Sequence, residues 1–284
     1  MSFIWGQRTY LMGIVNVTPD SFSDGGDYFA PELAIAHGQR LVAEGADILD
    51  IGGQSTRPGA EIIPLEEELR RVIPVITALA QTVTVPLSVD TTRAEVAAQA
   101  LAAGATWVND VSGGTDDPDL LAVAAQAGAT VVLMHRRGTP KTMQSLTHYD
   151  DLIGEIRDFL GRQVDQARQL GIQQIVIDPG IGFAKDVSQN LTILRELHQF
   201  KTLNCPILVG PSRKSFIGHI LNQPDPKQRV WGTAAACCAA IAHGADIVRV
   251  HDVAAMKQVT QVADAIWRER LTENSPAYAV TPPG

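Results

Sequence analysis

The strongest constraint on the fold is a short pattern that returns five times along the chain. In each copy a helical stretch ends at a glycine, a small or polar residue follows, and an apolar run begins at once. The copies lie at 43–53, 102–110, 126–135, 169–178 and 242–251. Their glycines are Gly45, Gly104, Gly128, Gly171 and Gly244. Glycine suits the left-handed conformation just after a helix, so each copy predicts a direct joint from helix to strand.

Three more apolar runs, at 10–17, 85–90 and 205–210, bring the number of predicted strands to eight. The stretches between the strands have helical periodicity, as residues 31–45 and 151–171 illustrate. Strand and helix therefore alternate along nearly the whole chain.

This alternation predicts a parallel sheet closed into a (β/α)8 TIM barrel. An open doubly wound sheet is disfavoured, because the first predicted strand runs into residues 16–26 and these contain no G-x-G-x-x-G turn. The length of 284 residues suits one large core. We therefore predict a single barrel domain over residues 1–284.

Charge and composition exclude several classes of partner. The net charge of −8 and the pI near 5.3 argue against nucleic acid or an anionic membrane as a partner, because the overall field repels polyanions. No run approaches the roughly 18 apolar residues of a membrane span, and the N-terminal segment is too short and polar for a secretory signal. The three cysteines are odd in number and lack metal-ligand spacing, which favours reduced structural thiols. These observations predict a cytoplasmic protein that acts on small molecules.

Loop lengths indicate which end of the barrel carries the chemistry. The joints that enter strands are short, whereas the exits at 18–30, 53–64 and 136–148 are long and polar. Long loops in a compact domain are usually functional or disordered, and TIM barrels place their active sites at the C-terminal ends of the strands. We therefore search for functional residues at those ends.

The polar residues at the predicted strand ends fall into two chemical groups. The first offers acceptors and an amide, which suit a planar heterocycle with N–H donors and a carbonyl: Asp90, Asn109 and Asp178. The second offers donors, which suit a phosphate or a carboxylate: Arg57, Lys214, Arg249 and His251. Independent helix caps would not be expected to sort into acceptors and cations, so the set predicts a binding site.

The stretch GPSRKS at 210–215 strengthens the prediction of an anion site. It places Arg213 and Lys214 side by side where an apolar strand turns into a helix. Ser215 then falls in the first turn of that helix, where free backbone N–H groups favour an anion.

Each of these residues also has a structural alternative. Asp90 is equally consistent with capping the helix that follows it, and Asp178 with making a turn before Pro179. His251 is consistent with a helix start, although Asp252 is the better cap. Arg57 is also consistent with an exposed loop cation.

Seven blocks of the sequence, in order, resemble the signature blocks of the dihydropteroate synthases. They are MGIVNVTPDSFSDGG, DIGGQSTRPGA, SVDT, VNDVSGG, DPGIGF, GPSRKSFIG and VRVHDV, and they run from residue 12 to residue 253. The first two are long and specific. The resemblance therefore covers essentially the whole chain.

The resemblance implies a reaction of folate biosynthesis. A 7,8-dihydropterin with a 6-hydroxymethyl pyrophosphate condenses with 4-aminobenzoate, giving 7,8-dihydropteroate and pyrophosphate. By similarity the pterin ring is bound by Asp90, Asn109, Asp178 and Lys214. The pyrophosphate is bound by Arg57, Arg249 and His251, and Asn16 helps hold a Mg²⁺ on it, which suits an ion that favours few protein ligands.

The resemblance also implies a pocket for 4-aminobenzoate and a mechanism without a protein nucleophile. The expected pocket residues are Phe22, Thr56, Pro58, Phe183 and Ser215. The C–O bond to pyrophosphate breaks early and the aromatic amine attacks the resulting carbocation, with Asp90, Lys214, Arg249 and His251 as the residues closest to catalysis. A homodimer and a sulfonamide target are further expectations.

Two other functions remain open at this stage. Corrinoid-linked methyltransferases use a similar pterin-binding barrel, and a non-catalytic pterin-binding protein would keep the ring-binding acceptors. The sequence departs from the family pattern at Gln54, at Arg136-Arg137 and at Pro211. The two extra arginines are expected to alter substrate affinity or the motion of the loop at 136–148. The apolar stretch 231–244 is consistent with either barrel packing or a subunit interface.

Overall fold

The computed structural model describes residues 3–18, 31–57 and 59–268. The strands are β1 (Tyr10–Asn16), β2 (Ile48–Gly52), β3 (Leu87–Asp90), β4 (Trp107–Asp110), β5 (Thr130–Met134), β6 (Ile175–Asp178), β7 (Leu208–Val209) and β8 (Ile247–Val250). The α-helices are α1 (Pro31–Glu44), α2 (Leu65–Thr82), α3 (Ala94–Ala102), α4 (Leu120–Gln126), α5 (Leu152–Gln169), α6 (Val187–Arg195), α7 (Ser215–Ile220), α8 (Val230–Ala242) and α9 (Val253–Trp267). The predicted alternation of strand and helix is confirmed.

The strands form one parallel sheet in the order β6-β5-β4-β3-β2-β1-β8-β7. A single parallel bridge between Ile177 and Ile207 joins the two ends of this order and closes the barrel. The predicted (β/α)8 TIM barrel is therefore confirmed. The register also aligns the strand ends, since Gly52 pairs with both Asn16 and Asp90, and Asp90 pairs with Asn109.

The five glycine joints behave as the sequence predicts. Each of the glycines has a positive φ, between +64° and +116°. Local capping also defines helix starts: Asp151 accepts a hydrogen bond from the Gly154 N–H at the start of α5, and Asp186 and Gln189 form a reciprocal capping box at α6. These local signals explain why sequence patterns were sufficient to find the elements.

The interior of the barrel is apolar towards the N-terminal ends of the strands. It is filled by one cluster of buried side chains: Tyr10, Met12, Ile48, Trp107, Val132, Val176, Leu208 and Ile247. Side chains along a strand alternate between two faces, so the residue two positions later points to the same interior. The inward positions that follow this layer are mostly polar, and they position the candidate site.

Helix α8 is apolar on both of its sides. One side, including Cys237 and Ile241, is buried against the barrel, whereas Trp231, Ala235 and Cys238 are exposed. The stretch 231–244 therefore packs on the barrel and also presents an apolar surface, with Trp231 79% exposed. Within the described ranges, no helix combines the length and the apolar character needed to cross a membrane.

Candidate active site

The candidate active site lies at the C-terminal end of the barrel interior. Its polar residues occur two positions after inward-facing apolar residues: Asp50 after Ile48, Asn109 after Trp107, Asp178 after Val176 and Arg249 after Ile247. Period-two alternation therefore projects four strands' polar side chains into one space. The site is a polar layer stacked on the apolar plug of the barrel.

A guanidinium at the centre of this layer joins two carboxylates. Arg249 donates from Nε to Asp50 Oδ2 at 2.6 Å and from Nη2 to Asp90 Oδ2 at 2.7 Å. Asn109 donates from Nδ2 to the same oxygen of Asp50 at 2.9 Å. The network thus fixes side chains from β2, β3, β4 and β8 relative to one another.

Burial shifts the protonation of this network. It raises the pKa of Asp90 to about 7, and the positive charge of Arg249 opposes the rise. Burial also acts to lower the pKa of Arg249, but the charges of Asp50 and Asp90 outweigh it and the pKa ends above its ordinary value. Arg249 is therefore a permanent cation between two buried carboxyl groups.

Asp90 does not cap helix α3. The Ala94 N–H at the start of α3 donates to Asp117 Oδ2 at 2.7 Å, and the carboxylate of Asp90 is bound to Arg249 instead. The structure thus removes the capping alternative and leaves Asp90 in the barrel interior.

Asp178 combines the turn interaction with a place in the site. Its Oδ1 accepts a hydrogen bond from the Gly180 N–H at 2.7 Å, as the turn alternative expects. Burial raises its pKa to about 6, while the Gly180 N–H and the charges of Lys214 and Lys185 act in the opposite direction. Asp178 is therefore a buried acceptor flanked by two ammonium groups.

Lys214 forms one wall of the site together with an aromatic ring. Its Nζ lies 4.1 Å from the centroid of the Phe183 ring, a cation–π contact. The pKa of Lys214 is lowered to about 8, first by burial and then by the charge of Arg249, while Asp178 and Asp90 oppose the shift. Phe183 belongs to a small buried apolar cluster: Val111, Met134, Met143, Phe183 and Ala184. A flat apolar surface thus adjoins the acceptors.

Arg213 does not share the orientation of its neighbour Lys214. It has a φ of +59°, and its guanidinium donates to Asp252 from Nε at 3.0 Å and from Nη2 at 2.5 Å. The interpretation of GPSRKS as two cations for one ligand anion is therefore wrong for Arg213, whose guanidinium is paired with the protein's own Asp252. Asp252 occupies the N-cap position of α9 without a side-chain cap bond, because its carboxylate binds Arg213.

His251 and Arg57 lie on the same side of the barrel as Lys214. His251 Nδ1 is 3.0 Å from Ser212 Oγ. Burial, followed by the charges of Arg213, Arg249, Arg57 and Lys214, lowers the pKa of His251 well below its usual range, so the ring is neutral. Arg57 itself is exposed, which agrees with a loop cation that faces the mouth of the barrel.

The remaining predicted residues lie at the rim or outside the described ranges. Asn16 ends β1 and is partly buried, Thr56 is half-buried in the loop after β2, and Ser215 is the exposed first residue of α7. Phe22 and Pro58 lie outside the described residues, so their places in the site stay predictions.

Two buried residues of this region were missed by the sequence analysis. Asp50 is fully buried and holds both Arg249 and Asn109. Lys185 is 3% exposed and lies beside Asp178. Asp50 could have been found from the alternation of β2, because it lies two positions before Gly52 and so points to the same interior. Nothing in the local pattern distinguished Lys185.

The departures from the family pattern have structural partners. Gln54 accepts a hydrogen bond from the Ile63 N–H at 3.1 Å, which shapes the loop after β2. Arg136 is ion-paired with Asp116, and Arg137 with Glu155. The two extra arginines therefore meet carboxylates of the protein.

A resident metal centre is not what this donor set fits. Within residues 3–18, 31–57 and 59–268, no group of three or more His, Cys, Asp or Glu side chains is arranged to hold a metal ion. Asn16 offers a single amide oxygen at the strand end. Because Mg²⁺ is usually bound through few protein ligands plus phosphate oxygens and waters, the residues fit an ion that arrives with a phosphorylated substrate.

The family profile described as "Pterin binding enzyme" matches residues 12–251. A dihydropteroate synthase of Synechocystis sp. is 63% identical over 268 residues, covering 94% of this chain and 93% of the relative.

Two solved structures agree in fold and sequence. A dihydropteroate synthase of Xanthomonas albilineans with 4-aminobenzoic acid has a TM-score of 0.86 and 47% identity, covering 92% of this chain and 94% of that one. A dihydropteroate synthase of Yersinia pestis with a sulfonamide drug complex has a TM-score of 0.87 and 43% identity, covering 93% and 96% of the two chains.

Proposed function

This chain belongs to the dihydropteroate synthases of the pterin-binding enzyme family, and we propose that it joins a dihydropterin pyrophosphate to 4-aminobenzoate. The products are 7,8-dihydropteroate and pyrophosphate, in folate biosynthesis. Relatives of this activity match the chain over nearly their full length. The observation that carries the proposal is a polar layer in which buried acceptors and partly buried cations adjoin one aromatic wall.

The pterin ring binds between the acceptors and Phe183. Asp178 and Asp90 accept hydrogen bonds from ring N–H groups, and Asn109 offers an amide to the remaining edge. Lys214, held over Phe183, donates to the ring carbonyl or to a ring nitrogen. Burial of Asp90, Asn109 and Asp178 supports the proposal, since a hydrogen bond is electrostatically stronger where water is excluded.

The pyrophosphate binds at the cationic side of the same layer. Arg57, Arg249 and the N–H of neutral His251 supply donors, and Arg is suited to forked contacts with phosphate oxygens. Asn16 would contribute a protein ligand to a Mg²⁺ that arrives with the pyrophosphate. When bound, the ion supplies additional positive charge to the leaving group.

The proposed reaction needs no protein nucleophile. The C–O bond breaks, the pyrophosphate leaves with the electron pair, and the 4-aminobenzoate nitrogen forms the new C–N bond before it loses a proton. Asp90 and Asp178 stabilise the positive charge on the pterin methylene, while Lys214 and Arg249 stabilise the negative charge on the leaving group. Preorganised charge of this kind is usually the largest single contribution to catalysis.

4-Aminobenzoate binds at the rim of the barrel. Thr56 and Ser215 offer hydroxyl groups there, and Phe183 offers an apolar wall; Phe22 and Pro58 complete the predicted pocket. The first turn of α7 presents N–H groups that suit the carboxylate. Because the Yersinia pestis relative was solved with a sulfonamide, we propose that sulfonamides compete with 4-aminobenzoate here as well.

The exposed apolar surface of α8 supports a homodimer. At the end of α7, Ile220 and Leu221 are 55% and 49% exposed, and Leu221 lies against α8, since a Cβ on Gly232 would be 3.0 Å from its Cδ1. A contiguous apolar surface of this kind marks an interaction site. Trp231→Glu is expected to convert a dimer into a monomer in light scattering; an unchanged mass would place the interface elsewhere. A cytoplasmic location stays part of the proposal.

The test of the function is pyrophosphate release by the purified protein. The dihydropterin pyrophosphate is supplied with and without 4-aminobenzoate and Mg²⁺, and dihydropteroate is identified as the product. Release that requires both additions supports the synthase. Pterin binding without release would favour a non-catalytic pterin-binding protein, and methyl transfer from a methylated folate would favour the methyltransferase alternative.

A further inference from the structure

Lys185 is a buried cation that the proposed mechanism does not use. It follows the DPGIGF block and lies in the segment 179–186 between β6 and α6, called the β6 loop below. Its side chain is only 3% exposed. A buried lysine is costly unless its ammonium is fully paired, so its partners indicate what it does.

The side-chain nitrogen of Lys185 lies within hydrogen-bond distance of three groups. Its Nζ lies 2.8 Å from Phe183 O, 3.0 Å from His135 Nδ1 and 3.5 Å from His135 O. Burial lowers the pKa of His135 to about 2, so its ring is neutral, and in the tautomer protonated at Nε2 its Nδ1 accepts from the ammonium. Three acceptors match the three N–H donors of an ammonium. A neutral amine has only two N–H donors and would leave one of the three acceptors without a partner.

These contacts connect two strand ends of the active site. His135 follows β5, and Phe183 is the aromatic wall under Lys214. The close approach is built into the backbone, since a Cβ on Gly180 would lie 1.9 Å from His135 O and 3.3 Å from Lys185 Nζ. The Gly180 N–H in turn donates to the Asp178 carboxylate. The Lys185 ammonium therefore lies close to the residue that donates a hydrogen bond to Asp178.

Resting on the proposed function, we propose that Lys185 is a positioning residue for pterin binding. Its ammonium fixes Phe183 against the end of β5 and keeps positive charge beside Asp178, so that the N–H donors of the pterin meet an ionised carboxylate.

Several other charges face the two groups. Asp178 is faced by Lys214 from the start of α7 and by Arg249 from β8. Lys185 is faced by Asp178, by Arg137 from the loop after β5 and by Lys214. Burial lowers the pKa of Lys185 to about 7, and Asp178 opposes that shift. Because the other cations remain, removal of Lys185 should shift the titration of Asp178 without abolishing its ionisation.

Lys185→Met tests the inference because it keeps the length of the side chain and removes the ammonium. Ring binding contributes equally to the ground state and the transition state, so the loss should appear mainly in KM. We expect KM for the dihydropterin pyrophosphate to rise about tenfold, kcat to change less than about threefold, and the acidic limb of kcat/KM to move up by about 0.5–1 pH unit.

Two further variants separate charge from loop anchoring. Lys185→Gln keeps donors for the carbonyl groups but not the charge, so it should reproduce the shift of the acidic limb with a smaller rise in KM. Tyr149→Phe removes the hydrogen bond of 3.0 Å from Tyr149 Oη to Ala184 O in the same loop without a change of charge. That control should leave the acidic limb in place.

The outcomes distinguish this inference from the proposed function. An inactive wild-type protein would count against the function, whereas an active one whose KM and acidic limb are unchanged by Lys185→Met would overturn the role of Lys185. If neither Lys185 variant folds, ¹³C NMR of lysine ε-carbons in the wild type decides, with Lys214→Ala identifying the other buried lysine. A neutral Lys185 at pH 6 would then overturn the inference, and a charged one would support it.

Discussion

The two ends of the barrel use the same residue types in opposite ways. At the N-terminal end, carboxylates bind backbone N–H groups: Asp264 accepts from the N–H and the hydroxyl of Thr9, both at 2.7 Å, and Asp246 accepts from the N–H groups of Gly6 and Ile207. Aromatic rings of Phe3, Trp5, Tyr10 and Trp107 pack in mutual contact beside them. The carboxylates of Asp264 and Asp246 are thereby paired with groups of the fold itself.

At the C-terminal end, Asp90 depends on a cation, whereas Asp178 accepts from one backbone N–H and lies near the charges of two lysines. Asp90 is bound by Arg249, and the pKa values of Asp90 and Asp178 are raised by burial. The lysines there have lowered pKa values for the same reason. The comparison teaches that one end stabilises the fold, whereas the other keeps charges in an unfavourable environment ready for a ligand.

Lys214→Ala should give the largest effect on activity. We expect kcat/KM to fall by about 10²–10³, the scale on which a single preorganised stabiliser acts, while the melting temperature does not fall. Steady-state kinetics and calorimetry measure the two quantities. Lys201→Ala is the matched control at the N-terminal end and should change kcat/KM less than about twofold. Equal effects of the two substitutions would break the comparison.

Asp264→Ala should show the reverse pattern. It removes the acceptor of two Thr9 hydrogen bonds and the partner of Arg268, whose Nε lies 2.9 Å away. Chemical unfolding should reveal a loss of about 3 kcal/mol, because buried donors are left without partners. The kcat/KM of the remaining folded protein should stay unchanged. A specific loss of activity at full stability would contradict the assignment of this end to folding.

Asp178→Asn should make the protein more stable, because it removes a carboxylate that the C-terminal end holds in an unfavourable environment. The pKa of Asp178 is raised from 3.8 to about 6, so ionisation of the carboxyl costs stability as the pH rises through that value. At pH 8 the amide should increase the free energy of unfolding by about 2 kcal/mol, and the gain should vanish below about pH 4. Pterin binding should be lost. Equal stability of the two proteins at both pH values would exclude a strained carboxylate.

Arg136→Gln should have the smallest effect. Its guanidinium is paired with Asp116, so the extra cation does not act on the substrate. We expect KM for both substrates to change less than about twofold, and stability by less than about 0.5 kcal/mol. A large rise in KM would show that the loop after β5 carries a ligand contact and would extend the binding region of the C-terminal end.

The sequence predicted the barrel because its signals are local. Glycine joints and apolar runs are read within about ten residues; the apolar runs are confirmed for all eight strands and the glycine joints for the five strands where they were predicted. The site was only partly predictable, because its network is not local. Asp50 and Arg249 are 199 residues apart in the chain and meet only when the barrel closes.

Backbone conformation explains the other differences. Arg213 and Lys214 are adjacent, yet a φ of +59° at Arg213 sends its side chain to Asp252. Likewise Ala184 has a φ of +51°, which folds Lys185 back under Phe183. Positive φ at a non-glycine residue has no reliable sequence signal. The sequence therefore shows which residues stand at positions 213 and 185, but it does not show where their side chains point.

The single bridge that closes the barrel has a mechanical consequence. One β-bridge, between Ile177 and Ile207, joins β6 to the segment that leads into β7, whereas β1 and β2 share five paired positions. The barrel is therefore weakest along this seam, and opening there parts the strand that ends in Asp178 from the strand that leads to Lys214. Amide hydrogen exchange at Ile177 should accordingly slow when a ligand spans the two residues, so the weakest line of the fold reports on occupancy of the site.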